Sequence, residues 1–231
     1  FREDVECMND IAEEVVRIYG YNKIESTGIS GNMTQGQRNP QQSFECGLHR
    51  LLCGLGLDEI NTFSFISPKY YDKICLPADS EKRKSIVIRN PLGEDTSVMR
   101  TTALPSILEV LARNANFSNE KVGVYELATT YTPTGDGALP DERKVLTIGF
   151  YGRGDFFTMK QICETVARYA RIRADYVRQS ENPSYHPGRC AELYTHDGVR
   201  LGILGQIHPA VAANYGMTTP VYVAEIDLPA L

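Results

Sequence analysis

The chain has 231 residues, 42% of them hydrophobic and 23% charged, the balance of an ordinary globular protein long enough to bury a core without staples. No apolar run approaches the roughly 18 residues of a membrane span, and the acidic opening FREDVECMNDIAEE is unlike a signal peptide. The net charge of −5 argues against a broadly basic nucleic-acid-binding face.

That charge is local. The first fourteen residues hold six acids (Glu3, Asp4, Glu6, Asp10, Glu13 and Glu14) against Arg2 alone, and the remainder of the chain balances. The spacing predicts a helix over 10–19, with Asp10 as cap and Glu13 three residues on in the manner of a capping box. Ile11, Val15 and Ile18 share a face, and Gly20 stands where a left-handed residue closes a helix. Residues 26–39, rich in Gly, Asn, Gln and Thr, read as a linker, so a boundary falls there.

Asn39-Pro40 opens a second helix whose stripe is Phe44, Leu48, Leu51, Leu52 and Leu55, ended by Gly54 and Gly56. Residues 60–66 alternate as a strand with Phe63 and Phe65 on one side. A polar excursion over 68–84 leads to a strand at 85–89. Leu104, Ile107, Leu108, Leu111 and Ala115 mark another helix, with Pro105 in its first turn. Strands follow at 122–127 and 145–151, then a helix near 157–172. A hairpin joins 191–195 to 199–207 across His196-Asp197-Gly198, and a last strand runs over 221–228. Helices at irregular intervals among hairpin-linked strands predict an α+β fold, an antiparallel sheet with helices on one face.

Six cysteines lie at 7, 46, 53, 75, 163 and 190 with no CxxC pair. Cys46 and Cys53, seven apart in a helical pattern, read as buried thiols rather than a bridge or zinc site, which favours a reducing, cytoplasmic setting. The phosphate-cradling GxGxxG and GxxxxGK[ST], the zinc-binding HExxH and the nucleophile elbow GxSxG are all absent. His49, His186, His196 and His208 are scattered, as in structural or surface roles.

The sharpest local feature is acidic. Asp10, Glu13 and Glu14 stand at i, i+3 and i+4 on one helix face, with Asp4 six residues ahead. Four carboxylates without nitrogen or sulfur ligands suit a hard cation such as a partly hydrated Mg²⁺. The same spacing fits a plain helix cap beside a solvated acid. Three segments, 90–105, 185–189 and 205–209, carry more turn-formers and hydroxyls than structural strands need.

At those segments the chain shows a family likeness. NPLGEDTSVMRTTALPSILEVLARN and YHPGRCAELYTHDGVRLGILGQIHPAV, with DIAEEVVRIYGYNKI upstream, resemble the β subunit of bacterial phenylalanyl-tRNA synthetase over essentially the whole chain. The resemblance implies a fragment: 1–33 the end of the domain called B5, and 34–231 a catalytic-like core of the class II synthetase kind, an antiparallel sheet flanked by helices. The family's tRNA-binding-like, editing and anticodon-binding domains lie outside this stretch. It implies that the helix with Phe44 and Leu55, and the strand after it, are the dimerisation element motif 1.

It also implies that this core is not the catalyst. Class II adenylation aims arginines at the ATP phosphates. The motif 2-like strand VYELATTY at 124–131 has none before Arg143, and the motif 3 position, VAEIDL at 223–228, lacks the glycine-rich turn and its arginine. In the family the α subunit carries the active site within an (αβ)₂ heterotetramer. That holoenzyme uses ATP, which the resemblance does not place on this chain, and charges tRNA(Phe) with phenylalanine; membranes and DNA are not partners. The family binds Mg²⁺ through a spacing that Asp4, Asp10, Glu13 and Glu14 match, at a site shared with α. Two other readings remain: a standalone adenylate-forming or biotinyl-ligase-like enzyme, which the missing arginines oppose, and a regulatory paralogue, which the retained carboxylate spacing opposes. His186 and Arg189 read as parts of a stabilised turn near the sheet edge.

Overall fold

The computed structural model describes residues 2–135 and 138–231. The chain divides into two compact units, Phe1–Asn39 and Pro40–Leu231.

The first unit holds helix α1 (Met8–Tyr19) and a 3-10 turn at Tyr21–Lys23. The helix starts earlier than the acid spacing predicts. Asp10 lies inside its first turn, and its Oδ2 reaches back to accept the backbone N–H of Glu6 (2.9 Å) and of Cys7 (2.8 Å), so Cys7 is the cap. A carboxylate at that position satisfies N–H groups the helix leaves without partners. Gly20 takes φ +106° and ends the helix, as expected. Ile11, Val15 and Ile18 are exposed.

In the second unit, helix α2 (Pro40–Gly54) leads to strand β1 (Asp58–Glu59), strand β2 (Phe65–Ile66) and helix α3 (Lys69–Lys73). Strand β3 (Val98–Met99) and helix α4 (Leu104–Asn116) follow. Then come β4 (Val122–Thr132), β5 (Asp141–Tyr151), helix α5 (Phe156–Tyr169), β6 (Ala174–Arg178), β7 (Tyr185–Thr195) and β8 (Arg200–Ile207). Helix α6 (Pro209–Asn214) and β9 (Val221–Asp227) complete it. The main sheet has the order β1-β4-β5-β9-β8-β7-β6, and β2 and β3 form a separate pair. Every neighbour pairing in the main sheet is antiparallel except β1 with β4, which is parallel.

The expectation of helices on one face is corrected here. Alternation along the strands sends two apolar sets to opposite faces. Val124, Tyr151, Ile203, Val221 and Val223 pack with Leu104, Ile107, Leu108 and Leu111 of α4 and with Val211 of α6. Tyr125, Leu146, Ile148, Phe150 and Ala224 pack with Leu48 and Leu52 of α2 and with Met159, Cys163 and Val166 of α5. A sheet whose central strands are apolar on both faces needs a cover on each.

The predicted strand over 60–66 is also corrected. Only Phe65–Ile66 pairs as a strand, because the middle of that segment serves other partners: the Ile60 N–H donates to the Tyr125 carbonyl and Ser64 O accepts the Arg100 N–H. The strand at 85–89 reduces to a single bridge, Val87 with Val98. Cys163 and Cys190 are buried, but Cys53, read as a buried thiol, is exposed and Cys46 is half-buried. The Asp197-Gly198 turn closes the β7–β8 hairpin as read, with Gly198 at φ +84°. Among the described residues no helix is long and apolar enough to cross a membrane.

Candidate functional site

The face of the sheet under α4 carries a row of polar residues in register. Glu126 of β4 stands opposite Thr147 of β5, which stands opposite Glu225 of β9. Directly paired residues share a face, so this row lies across the middle of the sheet beneath the segment that leads into α4.

One end of the row is closed by Arg100, only 2% exposed. Its Nη2 donates to Glu126 Oε1 at 3.2 Å, its Nη1 to Thr62 Oγ1 at 2.7 Å and its Nε to the Thr129 carbonyl at 2.9 Å. Thr62 in turn donates its hydroxyl to Glu126 Oε2 at 2.7 Å and its N–H to Oε1 at 3.1 Å. Both buried charges are therefore paired and hydrogen-bonded, the condition under which burial is tolerated. The consequence is chemical: the arginine nearest the row is consumed by the protein itself. Arg143, further along the β4–β5 hairpin, is tied to Asp141 at 2.8 Å and Asp227 at 3.4 Å.

The other end is less complete. Glu225 receives the Thr102 hydroxyl at 2.6 Å, and neither it nor Thr147 gains a cationic partner among the described residues.

The segments 185–189 and 205–209 turn out to face each other. Tyr185 pairs with Ile207 and Cys190 with Gly205, and β7 bulges between them. Within the bulge His186 Nδ1 accepts the Gly188 N–H at 3.0 Å, and Arg189 donates to Gln206 Oε1 at 2.6 Å. Both residues hold a turn of the sheet. The other histidines are likewise placed: His49 shares a hydrogen bond of 3.0 Å with Tyr125, His196 lies 3.3 Å from Asp175, and His208 accepts the Ala210 N–H at the start of α6.

The four acidic residues of the first unit are only partly brought together. Arg2 bridges Asp4 (2.7 Å) and Glu14 (2.6 Å), Arg17 takes the other oxygen of Glu14 at 2.6 Å, Asp10 is occupied by the N–H groups of Glu6 and Cys7, and Glu13 is exposed. Among the described residues no three acids, histidines or cysteines are arranged to hold a metal ion. As arranged, the cation shared by Asp4 and Glu14 is a guanidinium.

Hydrogen bonding from Arg2 holds the Asp4 carboxyl down at about 2, and Arg2 and Arg17 lower Glu14. Groups lowered in this way favour the folded arrangement above the ordinary carboxylate range, and that contribution is lost as pH falls through the folded values. A carbon-detected NMR titration is expected to place the Asp4 midpoint near pH 2, and Arg2→Ala to return it toward the usual value of about 3.9. An unchanged midpoint in the variant would show that Arg2 is not the cause.

The architecture is that of the class II synthetases. The structure of Desulfitobacterium hafniense PylSc, a pyrrolysyl tRNA synthetase, superposes with a TM-score of 0.67 over 96% of this chain and 73% of that one, at 14% identity. Within that class, residues 24–228 match the model of the phenylalanyl tRNA synthetase beta chain CLM domain, and the chain belongs to that family. The phenylalanine–tRNA ligase beta subunits of Clostridium acetobutylicum and Clostridium tetani are 44% and 40% identical over 99% and 100% of this chain. The chain spans 29% of the length of each of these relatives.

The Arg100–Glu126 pair escaped the sequence reading. Its signal was present, since Glu126 interrupts an otherwise uncharged strand, VYELATTY, and Arg100 stands inside the dense segment 90–105. Nothing in the spacing joined the two.

Proposed function

We propose that this chain is the non-catalytic core of the β subunit of a phenylalanine–tRNA ligase, assembling in the cytoplasm with an α subunit in an (αβ)₂ heterotetramer. In this reading α performs the ATP-dependent charging of tRNA(Phe), and 1–33 belong to the end of the preceding B5 domain. The observation that carries the inactivity of this core is Arg100: a guanidinium 2% exposed and bonded to Glu126, Thr62 and Thr129 cannot meet a polyphosphate.

The assembly role is supported by aromatic surface. Phe63 is 81% exposed, and with Phe65, Tyr70 and Val110 it lines an open cleft of about 530 Å³ beside Asp95 and Arg113. Apolar patches of this kind mark surfaces that a partner covers. Light scattering of the β subunit co-purified with its α subunit is expected to give the mass of an (αβ)₂ complex, and Phe63→Ser with Phe65→Ser to shift it toward free subunits. ATP–pyrophosphate exchange by β without α would overturn the reading in favour of an independent enzyme.

The same proposal assigns Mg²⁺ to Asp4, Asp10, Glu13 and Glu14, with α completing the coordination. Hard oxygen donors suit the ion, and the shared grip of Asp4 and Glu14 on Arg2 supports their convergence on one cation. The ion must then displace Arg2. Arg2→Ala is expected to tighten Mg²⁺ binding by the complex, read by calorimetry, and Asp10→Ala to weaken it; no response to either substitution would remove the assignment.

A further inference from the structure

The main sheet ends at β6, which pairs with β7 and has no strand on its other side among the described residues. The stretch 165–180, from the last turns of α5 through β6, holds Arg168, Arg171, Arg173 and Arg178 against one acid, Asp175. All four arginines are exposed, and none has an ion-pair partner among the described residues. The neighbouring carboxylates are committed elsewhere: Glu164 lies 3.5 Å from Lys160, Asp175 3.3 Å from His196, and Glu192 3.0 Å from Arg200. Asp197, at the tip of the adjoining hairpin, pairs with none of the four. In a chain of net charge −5, this is a concentrated positive surface.

Helix and strand place these charges along one edge. Lys160, Glu164 and Arg168 stand at i, i+4 and i+8, a row down one side of α5. Lys160 begins that row over the ring of Tyr176, 4.7 Å from its centroid, which fixes the row on the β6 side. Tyr176 and Arg178 are two apart in β6 and share a face, so Arg178 emerges beside the same flank. Arg171, at φ +60°, and Arg173 lie in the connection between helix and strand. A rise of about 3.3 Å per residue puts the Cα atoms of Arg173 and Arg178 about 16 Å apart. The negative end of a helix dipole accounts for cations at Arg168 and Arg171, but not for the two beyond them.

Arginine forks match phosphate oxygens two at a time, and a row of this length suits a polymer rather than a single ion. A protein partner would meet an uncharged interface core, and a membrane would take up apolar side chains. The exposed apolar groups of this stretch are few. Alternation sends Val177 to the other face of β6, and the ring of Tyr169 lies against Phe44. We propose that the α5–β6 edge binds the phosphate backbone of an RNA without reading its bases. That the RNA is tRNA(Phe) rests on the ligase reading; the charge argument does not.

The test is the salt dependence of tRNA(Phe) binding by the full-length β subunit with its α partner, between about 50 and 200 mM salt. Each phosphate contact adds roughly 0.7–0.9 to the slope of log affinity against log salt. Replacing Arg168, Arg171, Arg173 and Arg178 together by Gln is expected to flatten that slope by about 3. The melting temperature is expected to stay, because all four are exposed. The same four replaced by Lys are expected to keep the slope. Arg171→Gln with Arg173→Gln is expected to flatten it by about 1.5. Arg89→Gln with Lys121→Gln removes equal charge from exposed positions elsewhere and is expected to leave it alone. A slope unmoved by the fourfold Gln variant, lost equally in the Lys variant, or moved alike by the two double variants would overturn the proposal. If the fourfold Gln variant loses phosphatidylserine vesicles while its tRNA slope holds, the edge serves a membrane and the proposal fails. Light scattering of the same samples reads assembly, so failure to join α counts against the ligase reading alone.

Discussion

Replacing Arg100 by Met is expected to destabilise the second unit by about 3–5 kcal/mol, the cost of leaving one partner of a buried ion pair alone. Glu126 would keep only the Thr62 donors, buried beside Thr147 among the apolar residues under α4. The Thr129 carbonyl would lose its donor as well. The double variant Arg100→Met, Glu126→Met separates the charge from the packing. With both charges gone, no ion is left unmatched, and most of the loss is expected to return. Urea unfolding of the β subunit measures all three chains. A double variant as unstable as Arg100→Met would mean that the network matters through its shape and not through pairing. The same series bears on function, because a core whose arginine serves only its own Glu126, Thr62 and Thr129 should assemble with its partner normally once stability is restored.

The parts of this fold that were legible in the sequence are those where one local signal sufficed. The stripe Phe44, Leu48, Leu51, Leu52 and Leu55 described α2, and Pro105 with its apolar series described α4, because a helix announces itself within a few turns. The Asp197-Gly198 turn did the same for β7 and β8. Strand lengths and the second layer of helices were not legible, since they depend on partners distant in the chain. Residues 60–66 alternate like a strand, yet Thr62 is drawn away by Glu126, which is 64 positions on. At the acidic cluster, spacing put four carboxylates within reach of one another, but Arg2 and the open N–H groups of Glu6 and Cys7 compete for the same oxygens. Spacing counts ligands and is silent about rivals.

The segments YHPGR and GQIHP, which carry part of the family likeness, lie against each other in the sheet. The bulge at 186–189 brings the Arg189 carbonyl so close to Gly205 that an added Cβ would stand 2.6 Å from that oxygen and 2.9 Å from the Cys190 Cα. These obstacles are backbone, in a strand hydrogen-bonded on both sides, so neither can swing away. Gly149, also in the sheet, meets only the side-chain tips of Ile107 and Leu111, at 2.9 Å. Gly205→Ala is therefore expected to cost about 3 kcal/mol, the upper end for overpacking, and Gly149→Ala about 1 kcal/mol. Thermal unfolding of the two variants side by side tests this. Equal losses would mean that the β7 bulge relaxes as readily as a leucine rotamer, and that His186 and Arg189 do not hold the turn rigid. A larger loss at Gly205, accompanied by a broadened Tyr185 resonance, would show that the strain reaches the start of the same bulged strand, where Tyr185 sits.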